Sequence, residues 1–215
     1  MIRKLFRLLE DLIWPRGFAC LCCDRRAEGG LLLCDECASQ LKVLRCRGQT
    51  GDVRSIWPYT DSARKLVTGL KDLCMEDCAQ VMADEMADEI RAMQLPTDTV
   101  LTWVTMPDIR RRERGIDHGR ILCEAVAART GYPVRQLLVR TRRIRTQRGL
   151  NAAQRQQNIA GALACPVSLY GPVLLIDDVL TTGATTRACA EALKAAGATR
   201  VYVLTATCVG GHRSI

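Results

Sequence analysis

The chain has 215 residues, enough to bury a core in one domain with room for a small additional module. Hydrophobic residues make up 48% of the sequence and charged residues 25%, as in globular proteins, and the 4% of aromatic residues argue against a surface built for base stacking. The net charge of +8 is concentrated between residues 110 and 148, where twelve arginines stand against three acidic residues, so this segment is expected to attract phosphates or nucleic acid.

The N-terminal residues predict a short amphipathic helix that ends at Trp14-Pro15. Its apolar side chains recur at helical spacing: Ile2, Leu5, Phe6, Leu9, Leu12 and Ile13. Docking on the body of the protein is the favoured interpretation, and contact with a membrane surface is the alternative. Charged residues interrupt the helix, and no stretch approaches the ~20 apolar residues of a membrane span, so the sequence predicts neither a secretory signal nor an integral membrane segment.

Two CxxC pairs follow, Cys20-x₂-Cys23 and Cys34-x₂-Cys37. Four thiolates in this spacing complete a tetrahedral site with no open position, so they predict a structural zinc ion without a catalytic role. Cys22 is an alternative ligand, and buried or redox-active thiols are the alternative to a metal site. Since neither a signal nor a membrane span is predicted, the chain is expected to be cytoplasmic. Thiols stay reduced in that compartment, and paired cysteines there more often hold metal than form disulfides.

Beyond residue 50, apolar runs of strand type alternate with helical patterns. The predicted elements are a strand at 53–59, a helix capped by Asp61 or Ser62 and running to about Leu70, a helix at 75–94, a strand at 100–105 and a helix at 116–130 that ends at Gly131. A short helix is predicted after Asn151, a buried strand at 173–176, a helix at 184–196 and a last strand at 201–209. This alternation predicts an α/β fold, a parallel sheet flanked by helices. Residues 1–50 would form the zinc module and its helix, and residues 51–215 the larger domain.

The segment from Val173 to Thr185 carries the most specific chemistry in the sequence. A buried strand ends at Asp177 and Asp178, and ligands of open α/β sheets lie at the carboxyl ends of strands. The polar loop that follows leads directly into a helix, whose first amides and dipole favour an anion. A pair of carboxylates suits the donor hydroxyls of a ribose, so the segment predicts a site for a 5′-phosphorylated sugar.

This segment resembles the signature of type I phosphoribosyltransferases. The resemblance implies that Asp177 and Asp178 bind the ribose hydroxyls and that the loop cradles the 5′-phosphate, through Thr181, Thr182, Gly183, Ala184 and Thr185. It also implies phosphoribosyl diphosphate as the ligand, with Mg²⁺ beside the diphosphate. Basic groups near an early strand would hold the diphosphate, and the candidates are Lys71, Arg110 and Arg114.

A second basic cluster comprises Arg140, Arg142, Arg143, Arg145 and Arg148. It is interpreted as a loop that closes over the substrate or as a track for a nucleic-acid backbone, and a solvated surface is the third alternative. His118 and His212 are isolated in the sequence, and neither is assigned as a general base. The sequence therefore assigns no catalytic residue.

Several different motifs are spread along nearly the whole chain. They are the N-terminal helix, the CxxC pairs, Leu70-Lys71, Arg112-Glu-Arg-Gly115, Arg145-Thr-Gln-Arg-Gly-Leu150 with Arg155 and Asn158, and the Asp177 loop. Together they resemble the ComF family of bacterial competence proteins. Where that family commonly has Arg-Gly-Phe-Asn-Gln, this chain has Arg114-Gly-Ile-Asp-His118, and only Cys46 stands where the family has a further CxxC pair.

The ComF resemblance implies a role in DNA uptake and natural transformation, with single-stranded DNA and a helicase-like competence protein as partners. It is compatible with pentosyl transfer from phosphoribosyl diphosphate. The alternatives are an inactive module that senses phosphoribosyl diphosphate or binds single-stranded DNA, and a nucleobase phosphoribosyltransferase of salvage.

Overall fold

The computed structural model describes residues 19–28, 30–107, 109, 111–112, 115–141 and 162–210. The helices predicted near the N-terminus and after Asn151 lie outside these residues. No helix in the described part is long and apolar enough to cross a membrane.

Strands and helices alternate along the chain as the sequence predicts. The helices are α1 (Asp35–Leu44), α2 (Asp61–Asp72), α3 (Glu76–Met93), α4 (His118–Thr130) and α5 (Ala184–Ala195). The strands are β1 (Val53–Pro58), β2 (Val100–Trp103), β3 (Val139–Arg140), β4 (Leu163–Ala164), β5 (Val173–Leu180) and β6 (Val201–Cys208).

Four strands form a parallel sheet in the order β1-β6-β5-β2. β5 and β6 lie at its centre between helices, so β6 is buried along its whole length and the first four residues of β5 are buried and apolar. The predicted fold class, a parallel sheet flanked by helices, is confirmed. β3 and β4 form a separate antiparallel pair of two residues each, which the sequence does not predict.

The pleat of β5 divides the core into two layers, because successive side chains of a strand point to opposite faces. Leu174 and Ile176 belong to the larger cluster, with buried residues of α2, α3 and α4. Val173 and Leu175 belong to the smaller cluster, with residues of α5. The cysteine segment also packs into the larger cluster, through Cys20, Cys22, Cys37 and Leu41.

The structure differs from the predicted helices and strands at three further points. α1 is absent from the prediction because only Cys37 and Leu41 are buried on it, too few apolar residues to give a periodic signal. β5 continues to Leu180, since pairing with β6 extends past the acidic pair. The N-cap position of α2 is Thr60, with Asp61 as the first helical residue, so neither predicted cap residue occupies it.

Candidate functional site

The acidic pair lies within β5, near its carboxyl end. Asp177 is opposite Thr205 of β6, and its Oδ1 accepts a hydrogen bond from the Asp178 amide at 3.0 Å. Alternation along the strand sends the two side chains to opposite faces: Asp177 to the α5 side and Asp178 to the side of α2 and α4. Asp177 is half-buried, whereas Asp178 is buried.

Two basic side chains from distant parts of the sequence meet Asp178. Lys71 Nζ lies 2.7 Å from Asp178 Oδ1, and His118 Nε2 lies 3.0 Å from Oδ2. The Asp178 side chain is only 5% exposed. His118 Nε2 is within ion-pair distance of Oδ2, and this buried oxygen accepts no well-aligned hydrogen bond from the described residues. A carboxylate in these surroundings can accept a hydrogen bond from a sugar hydroxyl only after one of its two partners has moved away.

Helix ends bring these two residues to the sheet. Lys71 is in the last turn of α2, and His118 is the first residue of α4. Asp117 caps α4 by accepting the Arg120 amide at 3.2 Å, and its other oxygen accepts the Trp103 indole N–H at 3.3 Å. The cap therefore links the start of α4 to the end of β2 and so fixes the position of His118.

The two carboxyls have pKa values shifted in opposite directions. Burial, followed by the neighbouring Asp178 charge, raises the pKa of Asp177 to about 8. Burial would also raise the pKa of Asp178, but the adjacent His118 and Lys71 outweigh it and lower that pKa below its usual value. These surroundings favour the ionised form of Asp178, whereas Asp177 changes its protonation state near pH 8.

Buried hydroxyls fix the backbone beneath the acidic pair. Thr207 Oγ1 donates to the Asp178 carbonyl at 2.9 Å, and Thr205 Oγ1 donates to the Thr207 carbonyl at 3.1 Å. Ser55 Oγ lies 2.7 Å from Thr205 Oγ1, so the chain of contacts reaches β1. These bonds give the end of β5 a defined position relative to its neighbouring strands.

The predicted phosphate loop joins β5 to α5. Thr181 and Thr182 are exposed, and Gly183 has φ 73°, a left-handed conformation that favours glycine. Thr182 Oγ1 accepts the Ala184 amide at 3.4 Å. The first amides of a helix lack intrahelical acceptors, so the loop and the start of α5 offer donors to an anion.

The structure separates the basic candidates. Lys71 is at the acidic pair, while Arg140 is half-buried on β3 and donates from Nε to the Thr105 carbonyl at 2.9 Å. The remaining candidates lie outside the described residues: Arg110, Arg114, Arg142, Arg143, Arg145 and Arg148.

The cysteine segment forms a candidate metal centre that shares no residue with the acidic pair. The Sγ atoms of Cys20, Cys23, Cys34 and Cys37 all lie within 4.8 Å of one another. Tetrahedral zinc with Zn–S bonds of about 2.3 Å requires sulfurs about 3.8 Å apart, and Cys23 and Cys34 are 3.7 Å apart. The donor set and spacing therefore fit zinc.

The local backbone explains how the four thiols converge. The first pair sits on a tight turn, in which the Asp24 amide donates to the Cys20 carbonyl, and the second pair begins α1. Hydrogen bonds from Arg25 lower the pKa of Cys23 to about 6, which favours the thiolate. Cys22 is excluded from the cluster, since its Sγ donates to the Ser62 carbonyl at 3.6 Å.

Sequence reasoning missed His118 as a member of the acidic site. A lone histidine gives no pattern, and only the departure at Asp117-His118 from the ComF motif marked the position. In the structure both residues make defined contacts: Asp117 caps α4, and His118 contacts Asp178.

Comparisons with known proteins give similarity in structure alone. No protein-family model matches the chain, and no curated protein matches it. Among solved structures, the allosteric regulatory enzyme of purine biosynthesis is 25% identical with a TM-score of 0.40, over 59% of this chain and 25% of that one. Glutamine phosphoribosylpyrophosphate amidotransferase from B. subtilis is 22% identical with a TM-score of 0.41, over 61% and 26%.

A third structure, hypoxanthine phosphoribosyltransferase from Staphylococcus aureus, is 12% identical with a TM-score of 0.42, over 65% of this chain and 70% of that one. The chain spans about a quarter of the length of the first two proteins. All three TM-scores are low, and they establish no function for this chain.

Proposed function

We propose that the chain binds phosphoribosyl diphosphate with Mg²⁺ at the carboxyl end of β5. The observation that carries the proposal is the order of groups along one segment: two carboxylates, a polar loop with a left-handed glycine, and a helix N-terminus. Asp177 and Asp178 would accept the ribose hydroxyls, and the loop from Thr181 to Thr185 would donate to the 5′-phosphate.

Mg²⁺ would lie with the diphosphate and neutralise part of its charge beside the acidic pair. A hard cation of this kind prefers carboxylate, phosphate and water oxygens, and Asp177 offers a half-buried carboxylate near the carboxyl end of β5. Lys71 supplies a further positive charge on the other face. The site therefore matches acids to donor hydroxyls and cations to the diphosphate.

The reaction supported best is pentosyl transfer. A nucleophile would form a bond to C1 of the ribose while the bond from C1 to the diphosphate oxygen breaks, and diphosphate leaves with the electron pair. Fixed charges around the ring would stabilise the positive charge that develops at C1. Asp178, kept ionised by Lys71 and His118, is the buried anion best placed for that role.

Calorimetric titration of phosphoribosyl diphosphate with Mg²⁺ into the zinc-loaded chain tests the proposal. We expect binding by the wild type and its loss in the Asp177→Asn/Asp178→Asn variant. The matched control is Asp98→Asn, an exposed aspartate that precedes β2 and so lies near the amino ends of the parallel strands, away from the proposed site. Failure of the folded wild type to bind would overturn the proposal.

We also propose that the four cysteines hold a structural zinc ion. The convergence of the four Sγ atoms supports it. A closed Cys₄ site lacks an open coordination position, so the ion would stabilise the segment without entering the reaction.

The ComF resemblance and the arginine-rich segment support a role in handling single-stranded DNA during natural transformation, in the cytoplasm and beside a helicase-like protein. Neutralising phosphates gives binding a steep salt dependence. We expect single-stranded oligonucleotides to bind, and the Arg142→Ala/Arg143→Ala/Arg145→Ala variant to bind less and with a shallower salt slope. Equal affinity of the wild type and the variant for single-stranded oligonucleotides would show that these arginines do not contribute to DNA binding.

A further inference from the structure

In this structure Asp178 is closed to a ligand. Its side chain is 5% exposed, Oδ1 is held by Lys71 at 2.7 Å, and Oδ2 faces His118 at 3.0 Å. A ribose hydroxyl can approach only an accessible acceptor, which Asp177 provides and Asp178 does not. If both acids bind the sugar, one of the two partners of Asp178 has to leave.

Lys71 has the longer and more exposed side chain of the two partners. Its ammonium is a point charge on a flexible four-carbon stem, and its side chain is 23% exposed. His118 is 14% exposed, has a short stem and sits at the start of a helix whose cap is tied to Trp103. An incoming anion would therefore attract the Lys71 ammonium away from Asp178 and leave His118 in place.

We infer that Lys71 is a specificity-determining residue. Its ammonium group moves from Asp178 to the diphosphate of the ligand, and this movement exposes Asp178 to the ribose hydroxyls. The inference rests on the proposed function and deepens it. A diphosphate carries more charge than a single carboxylate, so it competes for the ammonium. The hydroxyl that replaces Lys71 then keeps the buried carboxylate hydrogen-bonded.

Discrimination between two related sugars follows from this exchange. Ribose 5-phosphate has the same hydroxyls and the same 5′-phosphate, but it has no diphosphate to attract Lys71. In the wild type it therefore meets a site in which Asp178 stays closed. The fraction of open sites limits its apparent affinity, and removing the lysine removes that limit.

The test is calorimetric titration of phosphoribosyl diphosphate and of ribose 5-phosphate, each with Mg²⁺, into the wild type, Lys71→Met and Lys71→Arg. Lys65→Met is the matched control, because Lys65 is an exposed lysine of the same helix. In Lys71→Met we expect phosphoribosyl diphosphate to bind roughly tenfold more weakly or worse, since a charge contact is lost. We expect ribose 5-phosphate to bind roughly threefold more tightly or better, since the site is already open.

The gain for ribose 5-phosphate distinguishes this role from a structural one, because a damaged site does not gain affinity. Lys71→Arg should keep the wild-type preference, and Lys65→Met should change neither affinity. Thermal denaturation checks each fold, and Lys71→Gln replaces Lys71→Met if that variant is unfolded.

Two results would overturn the inference in distinguishable ways. If the wild type binds phosphoribosyl diphosphate and Lys71→Met weakens both ligands or changes neither, Lys71 has no part in specificity and the proposed function stands. If the folded wild type binds neither ligand, the proposed function fails and the inference fails with it.

Discussion

At the scale of single residues, the candidate site contains two adjacent carboxyl groups whose pKa values are shifted in opposite directions. Asp177 and Asp178 are adjacent carboxyls, yet the structure treats them differently. Asp178 is surrounded by Lys71 and His118, while Asp177 lies on the other face with a raised pKa. Unequal environments of this kind are typical of functional sites.

Asp177 gives a prediction about pH and stability. Its pKa is about 8 in the folded chain, against an ordinary value of 3.8, so the folded state binds the extra proton between these values. Ionising Asp177 therefore destabilises the fold as pH rises through this window. We expect Asp177→Asn to be more stable than the wild type, by a margin that grows from about pH 4 to pH 8 and is then constant. Urea denaturation at several pH values measures this, and a margin independent of pH would contradict it.

Gly183 gives a second prediction at this scale. Its φ of 73° is unfavourable for residues with a Cβ, by roughly 1–2 kcal/mol. We expect Gly183→Ala to lower the free energy of unfolding by about that amount and to weaken binding of phosphoribosyl diphosphate. Gly131→Ala is a useful control, because it has φ 77° at the end of α4, so it should lose stability without losing binding.

At the scale of elements, helix ends deliver the partners of Asp178, so the packing of α2 and α4 determines the site. α2 approaches α3 closely at Gly69, where an added Cβ would lie 2.6 Å from Cys78 Sγ. Lys71 follows two residues later. The absence of a side chain at Gly69 therefore lets α2 pack closely against α3, and this packing positions the end of α2 that carries Lys71.

Gly69→Ala tests this contact. Helix propensity alone favours alanine by about 1 kcal/mol, but overpacking costs roughly 1–3 kcal/mol. We expect a net loss of stability that Cys78→Ala largely relieves in the double variant, so that the two effects are not additive. Chemical denaturation of the four proteins in the cycle gives the coupling, and Arg64→Ala, at an exposed position of α2, serves as the control. Additive effects would show that the contact does not limit packing.

At the scale of the whole molecule, the candidate metal centre and the acidic site share one core. Cys20 and Cys37 are buried in the same cluster as Trp57 and Leu70, next to Lys71. The indole N–H of Trp57 donates to the Leu41 carbonyl of α1 at 2.9 Å. The cysteine segment therefore contributes to the stability of the sheet as well as to its own.

Removal of zinc gives the prediction at this scale. We expect a stoichiometric ion in the purified chain, and a lower melting temperature after chelation or in Cys34→Ser, because metal binding contributes to folding free energy. Cys165→Ser is the control, since Cys165 is half-buried outside the cluster. Zinc release followed by a colorimetric chelator, together with calorimetric melting, measures both effects. An unchanged melting temperature on complete metal loss would argue against a structural ion.

The sequence by itself determined the features that depend on neighbouring residues. The CxxC spacing predicted the Cys₄ cluster, and the run from Val173 to Thr185 predicted a strand, an acidic pair and a loop entering a helix. Alternating apolar patterns predicted the parallel sheet, because the periods of strands and helices differ. The domain boundary at residue 50 and the roles of the arginines stay predictions.

Only the tertiary structure decided what meets Asp178. Lys71 and His118 are far from it in sequence and from each other, and no local pattern marks a contact made by the ends of two helices. The structure also decided that Cys22 faces Ser62, that α1 exists with two buried residues, and that β5 runs past its acidic pair. In each case the deciding energy comes from partners brought together by packing, which outweighs local propensity.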